Sequence, residues 1–392
     1  MSALAGLKVI EMGQLIAGPF CGQLLGDMGA DVVKIEPPGV GDPMRLWGQG
    51  AEKVQWEVIA RNKRSVTLNL RVPEGQALAR RLIAQADVLI ENFKPGTLER
   101  WGMAPEALMT ENPGLIVARM SGYGQDGPYA DRAGFGGIGE AMGGWRHIVG
   151  EPDRPPSRMG ISIGDTLCAT YGALGVLAAL HHRSRTGEGQ VIDCALYEAV
   201  LQVMEGLVPE YDRNGVIRER SGAVLKGIAP SNVYTCRDGD FMIGANGDGL
   251  FARLAQAMGR QELASDPRYA THLARGEHQE ELDDLINRWT ANLTVAEVDA
   301  LMIAHSIPAG RVYRAPEMLA DPHFAARQAI VEIETHRGPL RMQNAFPRLS
   351  KTPSAIRRPA PAVPGQDNAE ILGGRLGLDA AELERLAAEG VI

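Results

Sequence analysis

Residues 7–36 read LKVIEMGQLIAGPFCGQLLGDMGADVVKIE, and this stretch decides the fold. Leu7 to Met12 is a short apolar run of the length of a buried strand. Gly13 to Pro19 form a turn, and Pro19 falls in the first turn of the helix that follows, where a missing N–H costs nothing. The helix runs through Cys21 to Met28, Gly29 ends it, and Asp31 to Glu36 make the next strand. Strand, helix and strand in so short a span are the βαβ unit of a parallel sheet.

The same rhythm continues. Ser65 to Leu70, Asp87 to Ile90 and Leu115 to Ala118 read as strands, with helical periodicity over Gly75 to Gln85 and Pro105 to Thr110. The expected fold class is α/β, with a Rossmann-like parallel sheet covered by helices on both faces. Residues 120–165 are rich in Gly, Pro and Arg and are expected to hold little regular structure; so long a loop in a compact enzyme is usually functional. An apolar helix follows from Thr166 to Leu180, then a basic turn from His181 to Arg185 and a new element at Val191. From Ser221 the pattern changes. Tyr234 to Ala245 reads as a hairpin turning at Asp238-Gly239, and helices are expected over Gly249–Met258, Gln279–Asn292 and Val295–His305. This is the signature of a second, smaller α+β domain. The remaining chain has strand character from Asp321 to Ser354, a Pro-rich arm from Arg357 to Pro364 suited to lying across another surface, and a last helix over Ala380–Ala388.

Composition narrows the function. The chain has 392 residues, 45% of them hydrophobic, a net charge of −8 and a pI of about 5.6. No Lys/Arg run dominates a segment and aromatic content is 5%, which argues against nucleic-acid binding. An anionic ligand must be held by local basic residues and helix N-termini. Cys21, Cys168, Cys194 and Cys236 lack metal spacing and read as reduced thiols. The eight histidines form no H-E-x-x-H pattern, and no metal site is expected. The first residues lack the pattern of a signal peptide, and Thr166–Leu180 is too short to span a bilayer, so a soluble, cytoplasmic protein without a membrane partner is the expectation.

Asp165 is the leading catalytic candidate. It directly precedes the apolar helix, where an Asp is ordinarily an N-cap. Cys168, three residues on, would share its helix face and reads as core packing. The N-terminal βαβ unit with Glu36 mimics a dinucleotide site, yet Gly13, Gly18 and Gly22 lack the G-x-G-x-x-G spacing. Asn92-Phe93-Lys94-Pro95-Gly96 follow a strand, at the edge where open α/β sheets bind ligands. Arg61, Lys63, Arg64 and Arg71 bracket a strand and read as a solvated face, or as partners for a phosphate-rich ligand.

Taken together and in order, these segments resemble the class III CoA-transferase family (the CaiB–BaiF, formyl-CoA transferase-like family). The resemblance is carried by Leu7–Glu11 with Ala17-Gly18-Pro19-Phe20, Leu25–Glu36, Gly41-Asp42 with Arg45 and Trp47, Asn62–Ser65, Glu91–Phe93 with Pro95-Gly96, Ser121–Pro128, Gly164-Asp165, Thr186–Gln190 and Gly365–Asn368. It implies an interlocked homodimer, a large CoA-binding domain made of residues 1–220 and 325–392, and a small domain of residues 221–324. It implies that Asp165 carries the acyl group covalently between an acyl-CoA and a free carboxylic acid, with the CoA thioester as substrate and no permanently bound cofactor. The resemblance assigns CoA contacts to Ile16 and Ala17, to Leu68, Asn69, Leu70 and Arg71, to Asn92, Phe93 and Lys94, to Arg100, and to Ala133, Gly134, Phe135 and Gly136. Arg71, Lys94 and Arg100 are the expected phosphate partners. The chain departs from the family at Pro37, where an Arg is common, and at Ile16 and Gly136, where some transferases carry Gln and an acid.

The α-methylacyl-CoA racemases of this family pair an Asp with a His in an Ala-Gly-His-Asp segment. Here the segment is Ala133-Gly134-Phe135-Gly136, and Phe135 cannot move a proton. Transfer is therefore preferred over racemisation. A nicotinamide dehydrogenase and a non-catalytic CoA-binding relative stay open beside it. Arg45, Arg146 and Arg158 are candidates to meet a second carboxylate, which would suit succinyl-CoA and another dicarboxylic acid.

Overall fold

A computed structural model describes residues 2–392. The chain divides into two units, one made of Met1–Trp145, Met159–Gly215 and Ala326–Ile392, the other of Arg146–Arg158 and Val216–Ala325.

The first unit is built on six strands, β1 (Lys8–Glu11), β2 (Asp31–Glu36), β3 (Lys63–Thr67), β4 (Val88–Glu91), β5 (Ile116–Ser121) and β6 (Val191–Ala195). They pair in the order β3-β2-β1-β4-β5-β6, all parallel, which is the Rossmann order. The connecting helices are α1 (Ala17–Asp27), α2 (Gln55–Ile59), α3 (Pro73–Ile83), α4 (Thr97–Arg100), α5 (Pro105–Glu111), α6 (Gly136–Met142) and, past the short α7 (Trp145–Ile148) that falls in the second unit from Arg146 on, α8 (Ile163–Thr186), with α9 (Leu196–Leu201) after the last strand. Successive strand residues point to opposite faces, so each face has its own core. Ile10, Val33, Leu89 and Val117 pack with α3 and with Ile371, Leu372 and Leu386 near the C-terminus. Val9, Val32, Val88, Ile90 and Ile116 pack with Cys21 and Leu25 of α1 and with Cys168, Ala169 and Val176 of α8. Two covered faces explain why the strands read as continuous apolar runs.

β2 and the helix at Ala380–Ala388 lie where the sequence puts them. β3 begins two residues earlier than expected and stops at Thr67, so Leu68 to Leu70 emerge past its carboxyl end. The stretch 120–165 is more regular than expected, because α6 and α7 form within it. Three of the seven residues of α6 are glycine, which hides its helical character; packing on α8 and α9 supplies what propensity lacks. The apolar helix runs for 24 residues, longer than the apolar core of its sequence. By length and composition it could cross a bilayer, but here it packs on α1, α9, β5 and β6 as a core helix.

The Pro-rich arm lies along the β3 edge of its own unit. Asn62 N–H donates to Arg358 O (3.0 Å), Trp56 Nε1 to Pro361 O (2.8 Å), and Arg45 to the carbonyls of Pro361 and Ala362. In the second unit, strands β7 (Ser231–Cys236), β8 (Gly239–Gly244) and β9 (Ala309–Arg311) form an antiparallel sheet. Helices at Asp248–Ala257, Gln279–Thr290 and Val295–Ala304 pack on it around Tyr234, Phe241, Phe251 and Ile286. Mixed α/β architecture with a parallel sheet and smaller antiparallel sheets is the fold class the sequence implied.

Candidate functional site

Parallel sheets of this order offer a ligand site where the strand order reverses, between β1 and β4. Here the turn after β1 and the segment after β4 are joined by one side chain. Asn92 Oδ1 accepts the Gln14 N–H at 2.7 Å, and Asn92 Nδ2 donates to Gln14 O at 2.8 Å. A Cβ on Gly13 would stand 2.9 Å from Asn92 Oδ1 and 3.1 Å from Gly18 Cα, so glycine is needed for this approach.

α8 brings its N-terminus to the same edge. β6 follows it after a short turn and pairs parallel with β5, so α8 runs back along the sheet from the carboxyl edge. α1 starts at that edge directly after β1 and packs against α8. Asp165 is the third residue of α8, not its cap: Ser162 holds the cap position and makes no side-chain capping bond. The carboxylate remains in the first turn, where the helix dipole favours its anion.

Asp165 is half-buried against the start of α6. A Cβ on Gly136 would stand 2.7 Å from Asp165 Cγ, and closer still to Oδ2. The reciprocal contact is as tight, since a Cβ on Gly164 would stand 2.9 Å from Gly136 O and 3.3 Å from the Cγ of the buried Glu140. Bare backbone at 136 and 164 is thus what lets α6 and α8 meet over the carboxylate. Gly134, just before, rests on Gly122 beyond β5, where a Cβ on either would come within 2.9 Å of the other's Cα. Phe135 turns outward and is 70% exposed, available to a ligand but without acid–base chemistry.

A cleft of about 650 Å³ opens at the carboxyl ends of β1 to β4. Leu68, Asn69, Leu70, Arg71 and Phe93 line it, as do Gln14, Pro37, Pro38, Thr97 and Trp101. Phe93 meets Trp101 edge-on with ring centroids 5.1 Å apart, and its N–H is held by Glu91 Oε2 at 2.7 Å. Arg71, Lys94 and Arg100 are exposed. Arg100 Nη2 donates to Thr97 Oγ1 at 2.9 Å, which keeps it beside the cleft wall. Of the expected ligand residues, then, five line this cleft. Asn92, Lys94 and Arg100 flank it, while Ile16 and Ala17 continue the turn that contributes Gln14. Of Ala133 to Gly136, which do not line it, Gly136 lies against Asp165.

Several charged residues have other work. Arg61 pairs with Asp27 (2.6 Å), Lys63 with Glu11 (2.7 Å), and Arg64 with Asp31 and Glu370; only Arg71 of that cluster is neither buried nor paired in this way. Arg45 is not available to a substrate carboxylate, because it grips Glu36 with two bonds at 2.7 and 2.8 Å and stacks on Trp56. Arg146 and Arg158 belong to the second unit. Glu36 also accepts from Ser65 Oγ and the Asp42 N–H, so it has no freedom to hold a ribose. Burial raises the Glu36 pKa, but Arg45 and Ser65 outweigh it and hold the carboxyl below its ordinary range. The Cys168 thiol is pushed well up by burial and by neighbouring Cys194, which keeps it protonated and unsuited to attack. Among the described residues no group of three or more His, Cys, Asp or Glu side chains could hold a metal ion.

A buried ionic cluster, not foreseen from the sequence, lies beneath the β1–α1 turn. Glu11, Lys34, Lys63 and Asp42 form it, with Lys34 Nζ 3.2 Å from Glu11 and 2.8 Å from Asp42. Its signal in the sequence is weak: Glu11, Lys34 and Lys63 are charges within strands that carry other charges as well, such as Lys8, Asp31 and Glu36.

Strand order, a cleft at the switch point and a helix-borne carboxylate whose helix starts at the same sheet edge define an α/β ligand-binding protein with the means for acyl chemistry. Residues 4–368 match the family model described as CoA-transferase family III, and the chain belongs to that family and is a CoA-transferase. It is 57% identical to the succinyl-CoA–D-citramalate CoA-transferase of Chloroflexus aurantiacus over 394 residues, 99% of this chain and 98% of that protein. It is 37% identical to the succinate–glutarate CoA-transferase of Agrobacterium fabrum, with 94% of each chain covered. Among solved structures, a CAIB/BAIF family protein from Brucella suis is 35% identical with a TM-score of 0.85, covering 95% of this chain and 99% of that one. Family membership sets aside a nicotinamide dehydrogenase.

Proposed function

We propose that the enzyme moves CoA from succinyl-CoA to a second dicarboxylic acid, with Asp165 as the covalent acyl carrier. The observation that carries this reading is the Asp165 carboxylate, held in the first turn of α8 against the bare backbone of Gly136. Relatives named for succinyl-CoA with citramalate, and for succinate with glutarate, support the substrate class.

A carboxylate oxygen of Asp165 attacks the thioester carbonyl of succinyl-CoA. The C–S bond breaks, giving a succinyl–aspartyl anhydride and CoA thiolate. The thiolate attacks the aspartyl carbonyl, succinate leaves, and an aspartyl-CoA thioester remains. The acceptor carboxylate attacks that thioester and expels the thiolate, which then attacks the acceptor's acyl carbon and frees Asp165. Splitting one hard exchange into four acyl transfers is the gain of covalent catalysis. The N-terminus of α8 favours the carboxylate ion at the start and end of the cycle. CoA lies in the cleft of Leu68–Arg71 and Phe93, with Arg71, Lys94 and Arg100 meeting its phosphates by charge-assisted bonds. The protein works in the cytoplasm as an interlocked homodimer.

The test is hydroxylamine trapping during turnover with succinyl-CoA, followed by peptide mass analysis. A hydroxamate on Asp165 and loss of transfer in Asp165→Ala are expected. A label on another residue, or turnover that survives Asp165→Ala, refutes the assignment.

A further inference from the structure

We propose that Lys34 and Asp42 are positioning residues that hold the β1–α1 turn in its working shape, a role that rests on the transferase reading above. The turn is held at three successive residues. Lys34 Nζ donates to Gly13 O; Asn92 takes both Gln14 N–H and Gln14 O; Asp42 Oδ1 accepts the Leu15 N–H at 3.1 Å. Asp42 also accepts the Met44 N–H at 2.9 Å, which fixes the loop after β2 to the same carboxylate. Beneath, Lys63 Nζ donates to Pro19 O at 2.6 Å in the first turn of α1, and Glu11 bridges the two lysines. Gly22 on α1 makes room for this carboxylate, since a Cβ there would stand 3.0 Å from Glu11 Cδ.

Two features make this more than packing. First, Leu15 has φ +61°, a left-handed backbone that a branched side chain adopts only when its surroundings impose it. Second, a buried ionic cluster is a poor source of stability compared with an apolar core. The sheet buries other charged groups, among them Glu36, Glu91 and Arg119, but under this one turn two lysines and two carboxylates meet in one cluster that reaches the turn's own backbone. Burial works against the charge on Lys34, but Asp42 and Glu11 outweigh it and raise its pKa. Lys34 therefore stays an ammonium able to hold the Gly13 carbonyl. The turn so fixed leads through Ile16 into Ala17 at the start of α1, the pair expected to contact CoA.

The experiment uses Lys34→Met and Asp42→Ala, with Asp42→Asn as the milder variant should either fail to fold. Asp42→Asn keeps an oxygen for Leu15 but sets an amide N–H₂ against Lys34. Backbone amide exchange over residues 13–18 of the ligand-free protein reads the clamp without turnover. Exchange there should quicken by about tenfold or more in the folded variants, as for any locally opened hydrogen bond. Per folded site, kcat should fall about 10- to 100-fold, the cost of an ångström-scale displacement, and Kd for free CoA should rise with it, since Ile16 and Ala17 belong to the expected CoA contact. Unchanged exchange at 13–18, or wild-type kcat in folded Lys34→Met and Asp42→Ala, overturns the proposal. If the wild-type protein moves no CoA, the transferase reading fails, and the exchange result alone decides the clamp.

Discussion

Replacing Gly136 with alanine puts the reading of Asp165 under direct strain. The added Cβ would stand 2.7 Å from Asp165 Cγ, whereas carbon pairs settle at about 3.5–4.0 Å, so the carboxylate must retreat by about 1 Å. A misplacement of that size costs about 100-fold in rate, or about 2.7 kcal/mol of barrier. Stability should barely change. Gly136 is the first residue of α6, its φ lies outside the left-handed region, and alanine is a better helix former than glycine. The assay is initial-rate CoA transfer from succinyl-CoA, followed by chromatography of the acyl-CoA products, beside a thermal melt. Gly160→Ala is the control, because a Cβ there meets nothing within 4 Å. Should Gly136→Ala keep the wild-type kcat with an unchanged melt, the carboxylate seen against Gly136 is not the reacting group.

Other outcomes follow from the same geometry. Pro37 lines the cleft at a position where an arginine is common in the family, so Pro37→Arg should lower KM for succinyl-CoA several-fold, in line with about 1 kcal/mol for a partly exposed charged pair; an unchanged KM would remove the phosphates from that end of the cleft. Ile90 is fully buried in the core that β4 shares with α1 and α8, and Ile90→Ala should cost about 2–5 kcal/mol in denaturant unfolding, with a loss below about 1 kcal/mol contradicting the packing described. The Cys194 thiol is pushed up to about 11 from 9.0, chiefly by burial. An acid with a raised folded pKa contributes stability that is complete below pH 9 and is lost as pH rises through 11, so wild type should lose more stability across that window than Cys194→Ser. Parallel losses in the two proteins would refute it.

How much of this is legible in the sequence depends on whether a residue's role is local. Asp31–Glu36 declares itself because β-branched residues crowd a short run between a glycine and a proline pair, whereas Asp238-Gly239 reveals the hairpin but misses its tip by one residue, since Cys236 pairs with Gly239 and the turn is Arg237-Asp238. α6 is hidden for the opposite reason. Its glycines disfavour a helix locally, and they are present because α8 must approach closely, a demand set by residues 28 positions away, from Gly136 to Gly164. The same demand inverts the meaning of Gly136. As a letter it is a missing acid; in space it is the gap that admits Asp165.

The charged residues show the same dependence most sharply. Arg61, Lys63 and Arg64 bracket a strand, and nothing in their spacing distinguishes a solvated face from a phosphate site or an internal ion pair. Their partners, Asp27, Glu11 and Asp31, lie one βαβ unit earlier and meet them only because β3 pairs with β2 and β2 with β1. Glu36 resembles the acid that grips a ribose because it ends the second strand of a βαβ unit, and it does occupy that place. Its letter carries no sign that Arg45 and Ser65 already hold it. In this fold the acid that a dinucleotide site would offer to its ligand is spent on the protein's own framework, and so are Lys34 and Asp42 beside it. The ligand edge is therefore recognised less by charges displayed than by charges withdrawn: those under the β1–α1 turn fix its backbone, and the cleft is left to exposed Arg71, Lys94 and Arg100.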